Sequence, residues 1–202
     1  MNNREFLIHI LLELRSSGIK NQSILKIIET IPPHYYLSFY EKKKDFKVNF
    51  TINELIQIVK ILELAFLKNI KYENILIIGI KKGWLLTLAS KLCKRAYSVC
   101  DSLSQKKKLE NLFYSNNFKN IYLKVGKEYS AWKSVSPFDV IIYLKKNKFI
   151  PDVFQDYLSK NGIAIVLNVL KDNNINLVKI NKELERSNTV IDYKFIEKSD
   201  LI

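Results

Sequence analysis

Apolar and polar positions follow two rhythms along this chain, and the change from one to the other divides it. From residue 4 to about 15, EFLIHILLEL places apolar side chains at helical spacing before Gly18, which predicts an amphipathic helix. Asn21 predicts the cap of a second helix, whose Ile24, Leu25, Ile27, Ile28 and Ile31 keep helical spacing until Pro32-Pro33 ends it. After the basic stretch 41–47, Thr51-Ile52-Asn53-Glu54 has the form of a capping box, in which hydroxyl and carboxylate each satisfy an orphan backbone donor. A helix is predicted from there to about Lys68.

Beyond Asn74, short apolar runs alternate with helical patterns. Strands are predicted at 75–78, 96–100, 121–125, 138–143 and 163–169, helices at 83–94, 104–114 and 151–158, and two weaker strands near 175–180 and 190–196. This alternation is that of an α/β, doubly wound, mostly parallel sheet preceded by N-terminal helices. A single domain over 1–202 is expected, with a helical region at 1–70 and a sheet region at 71–202. No repeat, low-complexity segment or linker interrupts it.

Composition changes this picture little. The 202 residues are 48% hydrophobic and 12% aromatic, enough for one sizeable core. The formal charge of +13 suits an acidic partner such as nucleic acid, yet the lysines are spread over nearly every segment instead of forming one arginine-rich stripe. Cys93 and Cys100, with six residues between them, match neither a redox pair nor a zinc half-site and read as packing residues. The run Phe6 to Leu12 is broken by His9 and flanked by Glu13 and Arg15, so neither a membrane span nor an export signal is expected. A cytoplasmic monomer without membrane contact is the expectation.

In a doubly wound sheet, ligands sit outside the carboxyl ends of the strands, so the residues after each strand carry the chemistry. These are Gly79-Ile80-Lys81-Lys82-Gly83, Cys100-Asp101, Gly126-Lys127-Glu128 and Tyr143-Leu144-Lys145-Lys146. Gly79 and Gly83 have the character of a cofactor turn, where a missing side chain lets backbone approach a ligand. Asp101 either binds ribose hydroxyls or caps the following helix. Other chemistry is poorly supplied. His9 and His34 read as structural, Trp84 and Trp132 as core residues, and no Ser-His-Asp set or cluster of metal ligands is visible. The turn from Gly79 to Thr87 lacks the spacing of a phosphate-cradling loop.

Taken in order, GIKNQSILKIIETIPPHYYL, NFTIN, ILIIGIKKGW, YSVCD, NIYLKVGKEYSAW, PFDVIIY and IPDVFQDYLSKNGIAIVL resemble the successive blocks of protein-L-isoaspartate O-methyltransferases, across nearly the whole chain. The resemblance implies a Rossmann-like S-adenosylmethionine-dependent methyltransferase fold. It also implies methyl transfer from S-adenosylmethionine to the free carboxyl of isoaspartyl residues in damaged proteins or peptides, which begins their repair. Gly79, Gly83 and Asp101 would hold the cofactor, with Thr51 and Asn53 on the substrate side.

Departures from the family pattern fall at the strand tips. Ile77 stands at an acidic position, Lys81 replaces the middle glycine, Cys100 stands at the expected acid with Asp101 one residue late, and Lys127 replaces an aspartate. Asn49-Phe50-Thr51-Ile52-Asn53 keeps only the Thr-Ile pair of the substrate segment. A lysine about 6 Å from a sulfonium costs about 3 kcal/mol at an effective dielectric of about 20. A lost charge-assisted contact adds about 1.5–3 kcal/mol. Three readings follow: a working methyltransferase whose cofactor turn is eroded, a non-catalytic relative serving a partner, and a basic module binding nucleic acid or another polyanion through Lys81, Lys82, Lys106 to Lys108, Lys127, Lys145 and Lys146. The losses at all the tips favour the second reading over the first.

Overall fold

The computed structural model describes residues 3–33, 36, 52–66, 71–80, 83–128, 130–147, 156–169, 175–185 and 188–198. Helix α1 (Asn3–Ser16) closes on Gly18, whose φ of +89° is left-handed. There the Ile19 N–H reaches Leu14 O at 3.1 Å and the Gly18 N–H reaches Arg15 O at 3.0 Å, satisfying carbonyls that a helix end otherwise leaves without partners. Helix α2 (Gln22–Thr30) starts as predicted, with the Asn21 side chain accepting from the N–H groups of Ser23 and Ile24. Its Ile24, Leu25 and Ile28 are buried.

Helix α3 (Ile52–Ala65) lies within the predicted span, and its predicted cap, Thr51, lies outside the described residues. Near its far end, Glu63 Oε1 accepts from the N–H groups of Lys20 at 2.8 Å and Asn21 at 2.7 Å, which ties the α1–α2 turn to α3. The helix stops at Ala65, short of the predicted Lys68, and Phe66 packs edge-on to Tyr72.

The remaining elements are β1 (Tyr72–Ile78), α4 (Trp84–Ser90), β2 (Cys93–Cys100), α5 (Leu103–Ser115), β3 (Ile121–Val125), a short 3-10 helix (Ser130–Val135), β4 (Phe138–Asn147), β5 (Leu158–Val169), β6 (Ile175–Glu185) and β7 (Asn188–Lys198). The sheet has seven strands in the order β3-β2-β1-β4-β5-β6-β7. Pairs from β3 to β5 are parallel; β5–β6 and β6–β7 are antiparallel.

Several boundaries differ from expectation: β1 starts at Tyr72 instead of residue 75, and β4 and β6 run on to Asn147 and Glu185, past the predicted 143 and 180. The helix predicted over 83–94 ends at Ser90, and β2 starts at Cys93 instead of residue 96. Every residue of α4 is buried, so no polar stripe marks where it gives way to the next strand. Likewise β5 opens at Leu158, ahead of the predicted residue 163; of the helix predicted over 151–158, residues 151–155 lie outside the described residues.

Side chains alternate across the strands. One face carries Ile75, Ile77, Ala96, Cys100, Val140, Ile142 and Ile165, in a single core cluster with buried residues of all five described α-helices. The other carries Leu76, Ile78, Tyr97, Val99, Ile141 and Val166, covered by Trp132 of the 3-10 helix and by Tyr157. Lys179 on β6 is buried and donates to Leu64 O at 3.2 Å, placing a cation at the carboxyl end of α3, where the helix dipole favours one.

Candidate active site

The strand order reverses direction between β1 and β4, so the crevice at their carboxyl ends is where this sheet receives a ligand. Gly79 ends β1 with φ +86°, and a Cβ there would stand 3.0 Å from both Cγ and N of Lys145 and 3.1 Å from Leu144 C. A Cβ on Gly83 would stand 3.0 Å from Leu112 Cδ2 and from Phe113 Cε1. Both glycines therefore have a packing reason within the protein: the first seats the β4 backbone beside the turn and the second seats α4 on α5. Lys81 and Lys82 lie outside the described residues.

Above Gly79, three strand tips converge on one ammonium. Lys145 Nζ, at the end of β4, lies 2.8 Å from Asp101 Oδ1 after β2 and 3.1 Å from Glu128 Oε1 after β3. The Tyr143 hydroxyl donates to Glu128 Oε2 at 2.7 Å, so both oxygens of this carboxylate are engaged. Hydrogen bonding to Asp101 foremost, and then Glu128, raises the Lys145 pKa above its ordinary value despite partial burial. Asp101 thus faces the crevice. It does not cap α5: Ser102 does, accepting from the Gln105 N–H at 3.1 Å. Gln105 in turn accepts from the Asp101 N–H at 2.7 Å and donates to Ile80 O at 2.9 Å, which fixes the β2 tip against the β1 turn.

Ile77 is fully buried on the helical face of the sheet, and its carbonyl accepts from the Ser98 hydroxyl at 2.6 Å. Cys100 is also fully buried, and burial foremost pushes its thiol up to about 11. These two departures from the family pattern have become core. Lys127 is exposed, while its neighbour Glu128 brings a carboxylate to the mouth that the motif comparison alone does not identify. Trp132 is buried, donating to Ser98 O at 3.0 Å and packing on Tyr97. Trp84 is buried as well and donates to Ile31 O at 2.8 Å, so both indoles serve the core as expected.

Asn53, expected on the substrate side, is exposed in the first turn of α3. One turn further, Gln57 holds a buried Oε1 with no hydrogen-bond partner among the described residues. His9 is exposed on α1, and His34 lies outside the described residues. Among the described residues there is no group of three or more metal-ligating side chains, and no helix is long and apolar enough to cross a membrane.

The parallel sheet, its switch point and the cluster of acceptors at the strand tips define a protein of the Rossmann-like methyltransferase class. The profile of the protein-L-isoaspartate(D-aspartate) O-methyltransferase family matches residues 4–197, and the chain belongs to that family. The protein-L-isoaspartate O-methyltransferase of Dictyoglomus turgidum is 28% identical over 164 residues, covering 76% of this chain and 72% of the relative. That of Maricaulis maris is 25% identical over 166 residues, with 79% and 77% covered. A solved protein-L-isoaspartate O-methyltransferase superposes with TM-score 0.73 at 20% identity, over 94% of this chain and 63% of that one, so this chain spans less than two thirds of it.

Proposed function

We propose that this protein transfers a methyl group from S-adenosylmethionine to the free carboxyl of isoaspartyl residues in proteins or peptides. The single observation that carries the proposal is the convergence of the Asp101 and Glu128 carboxylates above the left-handed Gly79 turn, at the switch point of a family-typical sheet. A carboxylate at the β2 tip suits ribose hydroxyls, and a second one supplies the acceptor that buried Ile77 and Cys100 do not. A Plasmodium falciparum protein of similar fold, with TM-score 0.62 and 12% identity, is solved in complex with S-adenosyl-L-homocysteine.

The cofactor supplies an activated methyl group, and the chain's task is to hold donor and acceptor in line, which needs no strong base. Gly79 and Gly83 frame the turn, and Asp101 and Glu128 orient the cofactor. Asn53, in the first turn of α3, and Thr51, two positions before it in the sequence, hold the isoaspartyl carboxylate. Cys93 and Cys100 are buried and take no part.

The losses that favoured a non-catalytic relative are offset by Glu128. The polyanion reading loses support at the mouth, where Lys145 is engaged by two carboxylates and Lys106 pairs with Glu110 at 3.3 Å. The deciding measurement is methylation of an isoaspartyl peptide at saturating S-adenosylmethionine, with the normal aspartyl peptide as control. Turnover of the first alone supports the proposal; no turnover above the control by the folded protein overturns it.

A further inference from the structure

The Lys145 ammonium occupies the two carboxylates to which the reading above assigns the cofactor. It bridges Asp101 and Glu128 while its stem lies against Gly79, so one side chain spans the crevice from the β1 turn to the tips of β2 and β3. Its surroundings hold it there. Tyr143 fixes the second oxygen of Glu128, Gln105 fixes the backbone of Asp101, and the Lys145 side chain is only 33% exposed. A lysine placed for anion binding would have an unpaired ammonium facing outward; this one is neutralised from two sides. A ligand reaching these carboxylates with hydroxyl or ammonium groups must take the place of a cation already bound to them, and a ligand carrying a sulfonium also meets its repulsion.

We propose that Lys145 is an internal occupant of the cofactor end, and that S-adenosylmethionine or S-adenosylhomocysteine binds only as Lys145 leaves Asp101 and Glu128. The proposal rests on the cofactor reading above and adds a residue that sets affinity. Two consequences separate it from a merely structural role. Removing the side chain strengthens binding, and it does so more for the sulfonium cofactor than for the neutral thioether. Because both ion pairs reach solvent, added salt weakens Lys145's hold and narrows the difference between the proteins with and without it.

The test is calorimetric titration of the wild type, Lys145→Ala and Lys145→Arg with S-adenosylhomocysteine and S-adenosylmethionine, at about 50 and about 500 mM NaCl, with folding checked by circular dichroism. The expected result is at least about tenfold tighter binding by Lys145→Ala than by the wild type, with Lys145→Arg remaining as weak as the wild type. The gain is larger for S-adenosylmethionine and smaller at high salt. Equal, measurable binding by all three proteins overturns the proposal and leaves the cofactor reading standing. No binding by any of them, at the highest soluble concentrations, overturns both. Should Lys145→Ala not fold, the salt series on the wild type decides: affinity rising with salt supports the internal occupant, and affinity that is flat or falling overturns it.

Discussion

The indole N–H of Trp84 donates to the carbonyl of Ile31 over 2.8 Å, between two buried residues 53 positions apart. Ile31 follows α2 and Trp84 opens α4, so this bond fastens the N-terminal helices to the first β-α unit beside the crevice. Trp84→Phe keeps an aromatic ring and removes the donor from a buried acceptor, which costs about 1–3 kcal/mol. The midpoint of urea unfolding should fall accordingly. An unchanged midpoint would show that the bond contributes nothing to the docking.

The two glycines of the turn should respond differently to alanine. At Gly79 the new Cβ meets backbone atoms of β4 in a left-handed conformation that itself costs an L-residue about 1–2 kcal/mol. At Gly83 it meets only the ends of Leu112, Phe113 and Leu109, which can give way, and overpacking of this kind costs about 1–3 kcal/mol. Gly79→Ala should therefore be the less stable variant in thermal unfolding, and it should be destabilised whether or not cofactor is added. Destabilisation seen only with cofactor present would assign Gly79 to ligand contact instead of packing.

Far from the crevice, Asp139 gathers the starts of three strands. Its Oδ2 accepts from the N–H groups of Glu73 at 2.7 Å and Asn74 at 3.3 Å, and its Oδ1 accepts from the Ser159 hydroxyl at 2.9 Å. Hydrogen bonds to a charged group are worth about 1.5–3 kcal/mol, so Asp139→Ala should lower stability by about 2–4 kcal/mol. Because the crevice lies at the opposite end of the strands, S-adenosylhomocysteine affinity should stay within about threefold of the wild type when folding is intact. A larger loss would couple the two ends.

Alkaline pH should weaken the fold through the buried cysteines. Burial foremost pushes Cys93 from 9.0 up to about 12, and Cys100 to about 11. In the unfolded chain these thiols ionise near their ordinary value, while in the folded chain they stay protonated. Their stabilising effect is complete below pH 9 and is lost as pH rises through 11 and 12, because over that range the unfolded state has released protons the folded state keeps. Urea midpoints should drop between about pH 9 and about pH 11, and less steeply in Cys93→Ala, whose absolute stability is lower throughout. A slope unchanged by the substitution would refute the assignment.

The sequence by itself determined the order of the elements, because periodicity is local. The Asn21 cap, the Gly18 ending and the limits of β3 are where the residues predict them. It also determined the family, since the blocks lie in one order along one chain. It missed the end of α4, where burial on every side removes the polar stripe that marks helix ends. Only the tertiary structure decided what the tips do. Asp101, Glu128 and Lys145 lie up to 44 positions apart, and their charges become one cluster because parallel strands bring their carboxyl ends to one edge of the sheet. No local pattern distinguishes a lysine that faces solvent from one held between two carboxylates. Electrostatic energy depends on distance in space, and the fold sets that distance.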